Sequence, residues 1–243
     1  MKIPSASRLI LGLALFLVIQ SAGQVSASAD VRVNVRAVTF SGKILVDREV
    51  RTGTTTVPTK ARATCLGGTP ADGSKKIEGP TALGALHDAA SQTRPRQPLL
   101  LSNAFDFGLG VCGVGDSVAS GEQWWELTVN HKPSMLGGEG TKLKAGDDVL
   151  WFLSRTYNSP SPDELKLVAP ETTNSNGWAR VRVFVYNDLG RRTPAEGAEL
   201  NVDSAPPANA EGYIRLRLDR ATRLVARQPG FIPSNRAMIR VPG

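Results

Sequence analysis

Histidine and cysteine are scarce in this chain, two of each among 243 residues. His87, His131, Cys65 and Cys112 are too few for a zinc site of the usual four-ligand kind once the cysteines are bridged. A serine nucleophile needs a base within hydrogen-bonding reach. Gly115-Asp116-Ser117 looks like the start of an esterase motif, yet neither histidine has an aspartate three residues before it. Paired carboxylates are missing as well. Asp147-Asp148 follows Gly146, but two adjacent acids lack the spaced oxygens of a calcium loop. These absences predict a protein that is not an enzyme and holds no metal or cofactor.

Long apolar runs are also few. One stands at the start, LILGLALFLVI from Leu9 to Ile19, after Lys2 and Arg8. It is about half a membrane-spanning length, and Ala27-Ser28-Ala29 follows as a small-residue cleavage pattern. That combination predicts a signal peptide over residues 1–29 and a secreted protein, extracellular or at the cell surface, beginning at Asp30. In such a compartment, two cysteines predict one disulfide, Cys65 to Cys112.

Acid is thin toward the end. Between Tyr213 and Gly243 seven arginines face Asp219 alone, and the formal charge of +7 falls only to +5 without Lys2 and Arg8. Arg215, Arg217, Arg220 and Arg223 are the candidate contacts to an anionic surface, such as a cell-wall polymer. Nucleic acid is not expected as a partner of an exported chain.

One stretch is rich in glycine, FGLGVCGVGDSVASG from Phe107 to Gly121. Gly108, Gly110 and Gly113 spell a dinucleotide cradle, but that motif needs a helix directly after the glycines. Here VGDSVASGEQ follows, without apolar periodicity. The glycines are expected to shape turns and close backbone approaches, with Cys112 pinning the segment.

Period-two alternation in VRVNV from Val31 predicts a half-buried strand, and Ile44 to Val50 a second. Residues 52–80, rich in Thr, Gly, Pro and Lys, carry Cys65 and few order signals. PTALGALHDAASQT predicts the one helix, capped by Thr81, with Leu83, Leu86 and Ala90 on one side next to His87. Further strands are expected at Leu99–Phe107, Gln123–Val129, Val149–Arg155 and Glu164–Val168. One helix against several strands makes an α+β layer over residues 30–169. A polar linker follows at 170–176. Beyond it, WARVRVFVY (Trp178–Tyr186) alternates cleanly, placing Ala179, Val181, Val183 and Val185 on one side. Short strands separated by Gly and Pro then predict a β-sandwich over 177–243. The fold class is mainly β.

Consecutive strand residues point to opposite faces. Trp125, Leu127 and Val129 suit the helix-packed core, which leaves Trp124, Glu126 and Thr128 on the other face. Trp124, Glu126 and Trp151 are therefore candidate ligand contacts on an open sheet face.

Four elements of the first unit, VRVNVRAVTFSGKILVDREV, GPTALGALHDAA, the W-x-x-x-V-N of Trp125–Asn130 and AGDDVLWFL of Ala145–Leu153, share an order with a known family. Together they resemble exported bacterial domains related to the C-terminal domain of transcobalamin. The resemblance implies a β-grasp-like sheet with one helix and, as an alternative function, binding of a small molecule such as a corrinoid. Relatives often place glycine where His131 stands, a position strained for other residues in a type I′ turn. The second unit, through VRVFVYNDLGRRTPAEGAELNV, EGYIRLRL and LVARQPGFIPS, resembles carboxypeptidase regulatory-like (prealbumin-like) sandwiches. That implies a non-catalytic accessory module. The reading as a whole is a secreted, non-enzymatic surface-binding or adhesion protein.

Overall fold

The computed structural model describes residues 30–106, 108–155 and 161–242. The expected signal peptide and Phe107 of the glycine-rich stretch lie outside them. Strand makes up 43% of the described residues and helix 7%, so sheets dictate the architecture.

In the first unit β1 (Val31–Val38) and β2 (Ile44–Thr52) form a hairpin, followed by β3 (Thr55–Thr59) and β4 (Gly73–Ile77). Helix α1 (Ala82–Gln92) comes next, then β5 (Leu99–Ser102), β6 (Gly110–Val114), β7 (Ser117–Val118), β8 (Trp124–Val129), β9 (Lys132–Pro133), the single turn α2 (Gly137–Gly140) and β10 (Asp148–Ser154). The main sheet has the order β2-β1-β10-β8-β9. Its centre is a parallel pair, β1 against β10, with Val35 opposite Val149. Antiparallel strands flank it on both sides. The two-stranded β3-β4 and three-stranded β5-β6-β7 sheets complete the unit.

Alternation decides what each face of the main sheet meets. Val33, Val35, Trp125, Leu127, Val149, Trp151 and Leu153 join Leu83, Leu86 and Ala90 of α1 in one buried core. Thr81 caps the helix as expected, its hydroxyl accepting from the Gly84 N–H at 3.1 Å. The turn α2 closes over this core. A Cβ on Gly138 would stand 2.9 Å from both Leu83 Cβ and Trp151 Cη2, so only glycine lets the turn come so near.

The glycine-rich stretch becomes β6 and β7. A Cβ on Gly113 would stand 3.2 Å from the Ser117 carbonyl oxygen and 3.3 Å from Leu100 Cβ. The glycine there serves strand approach. Cys112 is bonded to Cys65, with their Cα atoms 5.5 Å apart.

The second unit contains β11 (Glu164–Val168), β12 (Trp178–Tyr186), β13 (Arg192–Pro194), β14 (Glu199–Leu200), β15 (Tyr213–Arg217), β16 (Thr222–Leu224), β17 (Ala226–Arg227) and β18 (Ala237–Ile239). Strand β12 pairs with β11 along one edge and with β13 and β15 along the other. Two small sheets, β14-β17 and β16-β18, complete the sandwich. Val181, Val183, Ile214 and Leu216 meet Leu200, Leu224 and Ile239 in the core between the layers.

One boundary differs from the sequence reading. Residues Glu164–Val168, expected in the first unit, pair with β12 from Glu164 opposite Tyr186 to Val168 opposite Arg182. Leu165 and Leu167 fill the sandwich core. Alternation identifies a strand but carries no information about its partner, and the 170–176 stretch connects two strands of the same unit.

Candidate functional site

The two units meet across the face of the main sheet that α1 does not cover. Val38, Ile44, Leu150 and Phe152 of the first pack with Val225 and Ile232 of the second. The face expected to be open is therefore occupied. Trp124 and Glu126 lie on that face, and Trp124 is half-buried there, while Ser161 donates to the Glu126 carboxylate. Trp151 stands on the opposite face, 3% exposed in the α1 core. Its pairing with Leu127 fixes this, because a one-residue change in register would turn it over. Trp124 and Trp151 cannot line one surface, which corrects the expected ligand platform.

Beside the apolar contact the interface is charged. Arg36 and Glu164 are 7% and 5% exposed, and a guanidinium nitrogen lies 3.5 Å from the carboxylate. Arg36 also donates to the carbonyls of Leu165 and Pro233. His131 contacts the same Glu164 carboxylate through Nδ1, and its ring stacks on Tyr186 with centroids 3.6 Å apart. Lys166 reaches Asp148 at 2.6 Å. His131 sits at φ +67° after Asn130 at φ +51°, the paired left-handed residues of a two-residue hairpin. Glycine would relieve the backbone, but only histidine supplies the ring that joins the units. A left-handed backbone held in this way is found where surrounding structure over-determines it.

Asp47 accepts from the Arg236 N–H at the same junction. Burial pushes its carboxyl above the ordinary value near 3.8, against the lowering effects of that hydrogen bond and of the charges on Arg36, Arg236 and Lys166. A raised value means the folded state holds the proton more tightly than the unfolded chain. This group's contribution to stability is thus lost as pH rises from 3.8 through the folded value. Asp47→Asn keeps an oxygen acceptor and removes the titration. The stability of wild type minus that of the variant, from urea midpoints between about pH 4 and about pH 7, should fall as pH rises. A difference that stays constant or grows would contradict the assignment.

The outer face of β12 carries the most distinctive arrangement. With Ala179, Val181 and Val183 turned into the core, Trp178, Arg180, Arg182 and Phe184 share the other side. Tyr213, Arg215 and Arg217 of β15 and Arg192 of β13 join them by strand pairing. Arg192 lies 4.6 Å above the Phe184 ring. Arg182 lies 4.6 Å from the same ring and 4.7 Å from Tyr213, and Arg180 stands 4.5 Å from Tyr213. Arg215 covers Trp178 at 4.4 Å. Cations and rings thus alternate across three strands.

None of these five arginines ion-pairs with a carboxylate among the described residues. Arg180 and Arg215 stand directly opposite each other, a like-charge placement that weakens a sheet. Folding gains nothing from it. Stacking uses the flat face of a guanidinium and keeps its N–H edges outside the stack. Arg182 spends its Nε–H on the Glu211 carbonyl at 2.9 Å and keeps its terminal nitrogens to grip an oxyanion.

Of the four arginines expected from the sequence, Arg215 and Arg217 belong to this face. Arg220 is exposed in the connection after β15, and Arg223 is exposed on β16, which pairs with β18 in another sheet. The sequence reading missed Arg180, Arg182 and Arg192. The signal for Arg180 and Arg182 was present in WARVRVFVY, where the polar partners of the alternation are themselves arginine and aromatic; Arg192 lies beyond it on β13.

Among the described residues no helix is long and apolar enough to cross a membrane, and no three His, Cys, Asp or Glu side chains gather as metal ligands would. Comparison of the chain with protein-family models, characterised proteins and solved structures finds no match.

Proposed function

We propose that this chain is a secreted, non-enzymatic binding protein that attaches to an anionic polymer at a cell surface through the arginine-aromatic face of β12, β13 and β15. The observation that carries the reading is the row of ring-stacked guanidiniums without carboxylate partners. Stacking fixes the side chains before binding, so less rotamer freedom is lost when the polymer arrives. The disulfide suits an oxidising compartment. A sandwich serving as an accessory module, as the resemblance to carboxypeptidase regulatory-like domains implies, needs no catalytic residues of its own.

Co-sedimentation with isolated cell walls at several salt concentrations tests this. Retention should fall steadily as salt rises, because the contacts are exposed and screened. Replacing Arg180, Arg182 and Arg215 together by alanine should weaken retention about tenfold or more. The Arg220→Ala/Arg223→Ala pair should change it less than about threefold, since those side chains lie off the face. Lysine at the three positions should fall between, keeping charge and losing the flat stack. Equal losses from both alanine sets would reject the face as the site, and salt-independent retention would reject the anionic partner.

A further inference from the structure

A second concave surface lies where the units join, on the far side of the Phe152 contact. It is a cleft of about 430 Å³ between the Thr39–Gly42 turn and the end of β10 in the first unit and residues 227–233 of the second. Sites for small organic ligands occupy this size range and favour domain junctions. The arginine face contributes no residue to it, so the two sites stand or fall separately.

The lining has a definite chemistry. Phe40, Phe152, Phe231, Ile232 and Pro233 supply an apolar floor and walls. Phe40 is 44% exposed although it is large and aromatic. Arg155 and Arg227 bring positive charge, and no Asp or Glu lines the cleft. Arg155 lies 4.0 Å over the Phe40 ring and pairs with no carboxylate among the described residues. Arg227 uses one nitrogen to donate to the Gly42 carbonyl at 3.0 Å, which leaves its other N–H groups available. The turn stays near because Gly42, at φ +77°, would place a Cβ 3.2 Å from Pro233 Cγ.

An apolar hollow ringed by cations without acids is complementary to one kind of molecule. We propose that the cleft binds a small organic anion with an aromatic body, its ring system against Phe40 and Phe231 and its anionic group between Arg155 and Arg227. The apolar body gains from leaving water, and the acid makes charge-assisted hydrogen bonds where no protein carboxylate competes. A neutral ring would gain only the first of these, and a small inorganic anion only the second.

The probes are 8-anilinonaphthalene-1-sulfonate and its uncharged counterpart N-phenyl-1-naphthylamine, titrated into the folded full chain and read by fluorescence. The sulfonate should bind saturably at one site. Arg155→Gln with Arg227→Gln should weaken it about tenfold and leave the neutral probe within about twofold. Phe40→Ala should weaken both about fivefold. Phe40, Arg155 and Arg227 are exposed, and the Arg227 bond to the Gly42 carbonyl is itself exposed to water, so these variants should keep a urea midpoint close to that of the wild type. Replacing Arg180 and Arg182 on the outer face should change neither titration. Absence of saturable sulfonate binding would overturn the proposal. So would binding indifferent to the Arg155 and Arg227 changes, binding indifferent to Phe40→Ala, or binding lost with Arg180 and Arg182.

Discussion

Arg36→Ala is expected to cost about 3 kcal/mol of folding stability or more. The loss does not come from the attraction between Arg36 and Glu164 alone, since bringing two charges out of water offsets much of it. It comes from what the truncation leaves behind. Glu164, 5% exposed, would keep a buried carboxylate beside His131 without its guanidinium. The carbonyls of Leu165 and Pro233 would each lose a donor. Replacing both partners, as Arg36→Met with Glu164→Gln, should be milder than the single truncation, because no unbalanced buried charge remains. Urea unfolding of wild type, Arg36→Met, Glu164→Gln and the double variant gives the cycle, with Arg36→Ala measured beside it. An Arg36→Ala midpoint within about 1 kcal/mol of wild type, at unchanged slope, would mean that the apolar contact alone holds the units together.

Removing the disulfide should cost about as much in the first unit. Cys65 and Cys112 are separated by 47 residues, and in the chain-entropy account a closed loop of that size is worth about 4 kcal/mol. The bridge ties the turn region between β3 and β4 to the fully buried Cys112 of β6. That turn region has little apolar surface of its own. Ala63 is buried, but Leu66 is 42% exposed. The Cys65→Ser/Cys112→Ala protein is expected to unfold about 3 to 4 kcal/mol earlier in urea, and dithiothreitol should move the wild type by the same amount. Wild type indifferent to the reductant while unfolded and refolded in its presence would show that the bridge contributes no stability.

Much of this organisation was legible in the residues, because local rules carry it. Thr81 before an apolar helix face, the alternation of Val31–Val35 and Trp178–Tyr186, and two cysteines in a chain whose opening residues read as an export signal each have one dominant physical reading. Partner choice was harder to read. Glu164–Val168 alternates equally well against either sheet, and only pairing with β12 assigns it. Trp151 shows the same difficulty across a face. Alternation says that Trp151 shares a side with Val149 and Leu153, but register decides that this side meets α1. One signal pointed the right way. Val149 to Leu153 is apolar at every position, the pattern of a strand covered on both faces. An open ligand-binding face on β10 was incompatible with it. His131 carried a second signal, since a histidine in a glycine position implies a gain elsewhere, and the stack on Tyr186 supplies it.

The borders of the main sheet bear on how many copies of this chain can crowd together at a surface. On one border β9 is two residues long, and one of them is Pro133, which has no N–H to offer an arriving strand. On the other, Arg236 of the second unit takes the Ile44 carbonyl and the Asp47 side chain of β2, while Arg48, Glu49 and Arg51 follow as charges. The short proline-bearing strand on one border and the arginine contact and charged side chains on the other discourage a neighbour's backbone from zipping onto either. A population of these molecules held at high local density can therefore remain separate particles, without joining rim to rim into fibres.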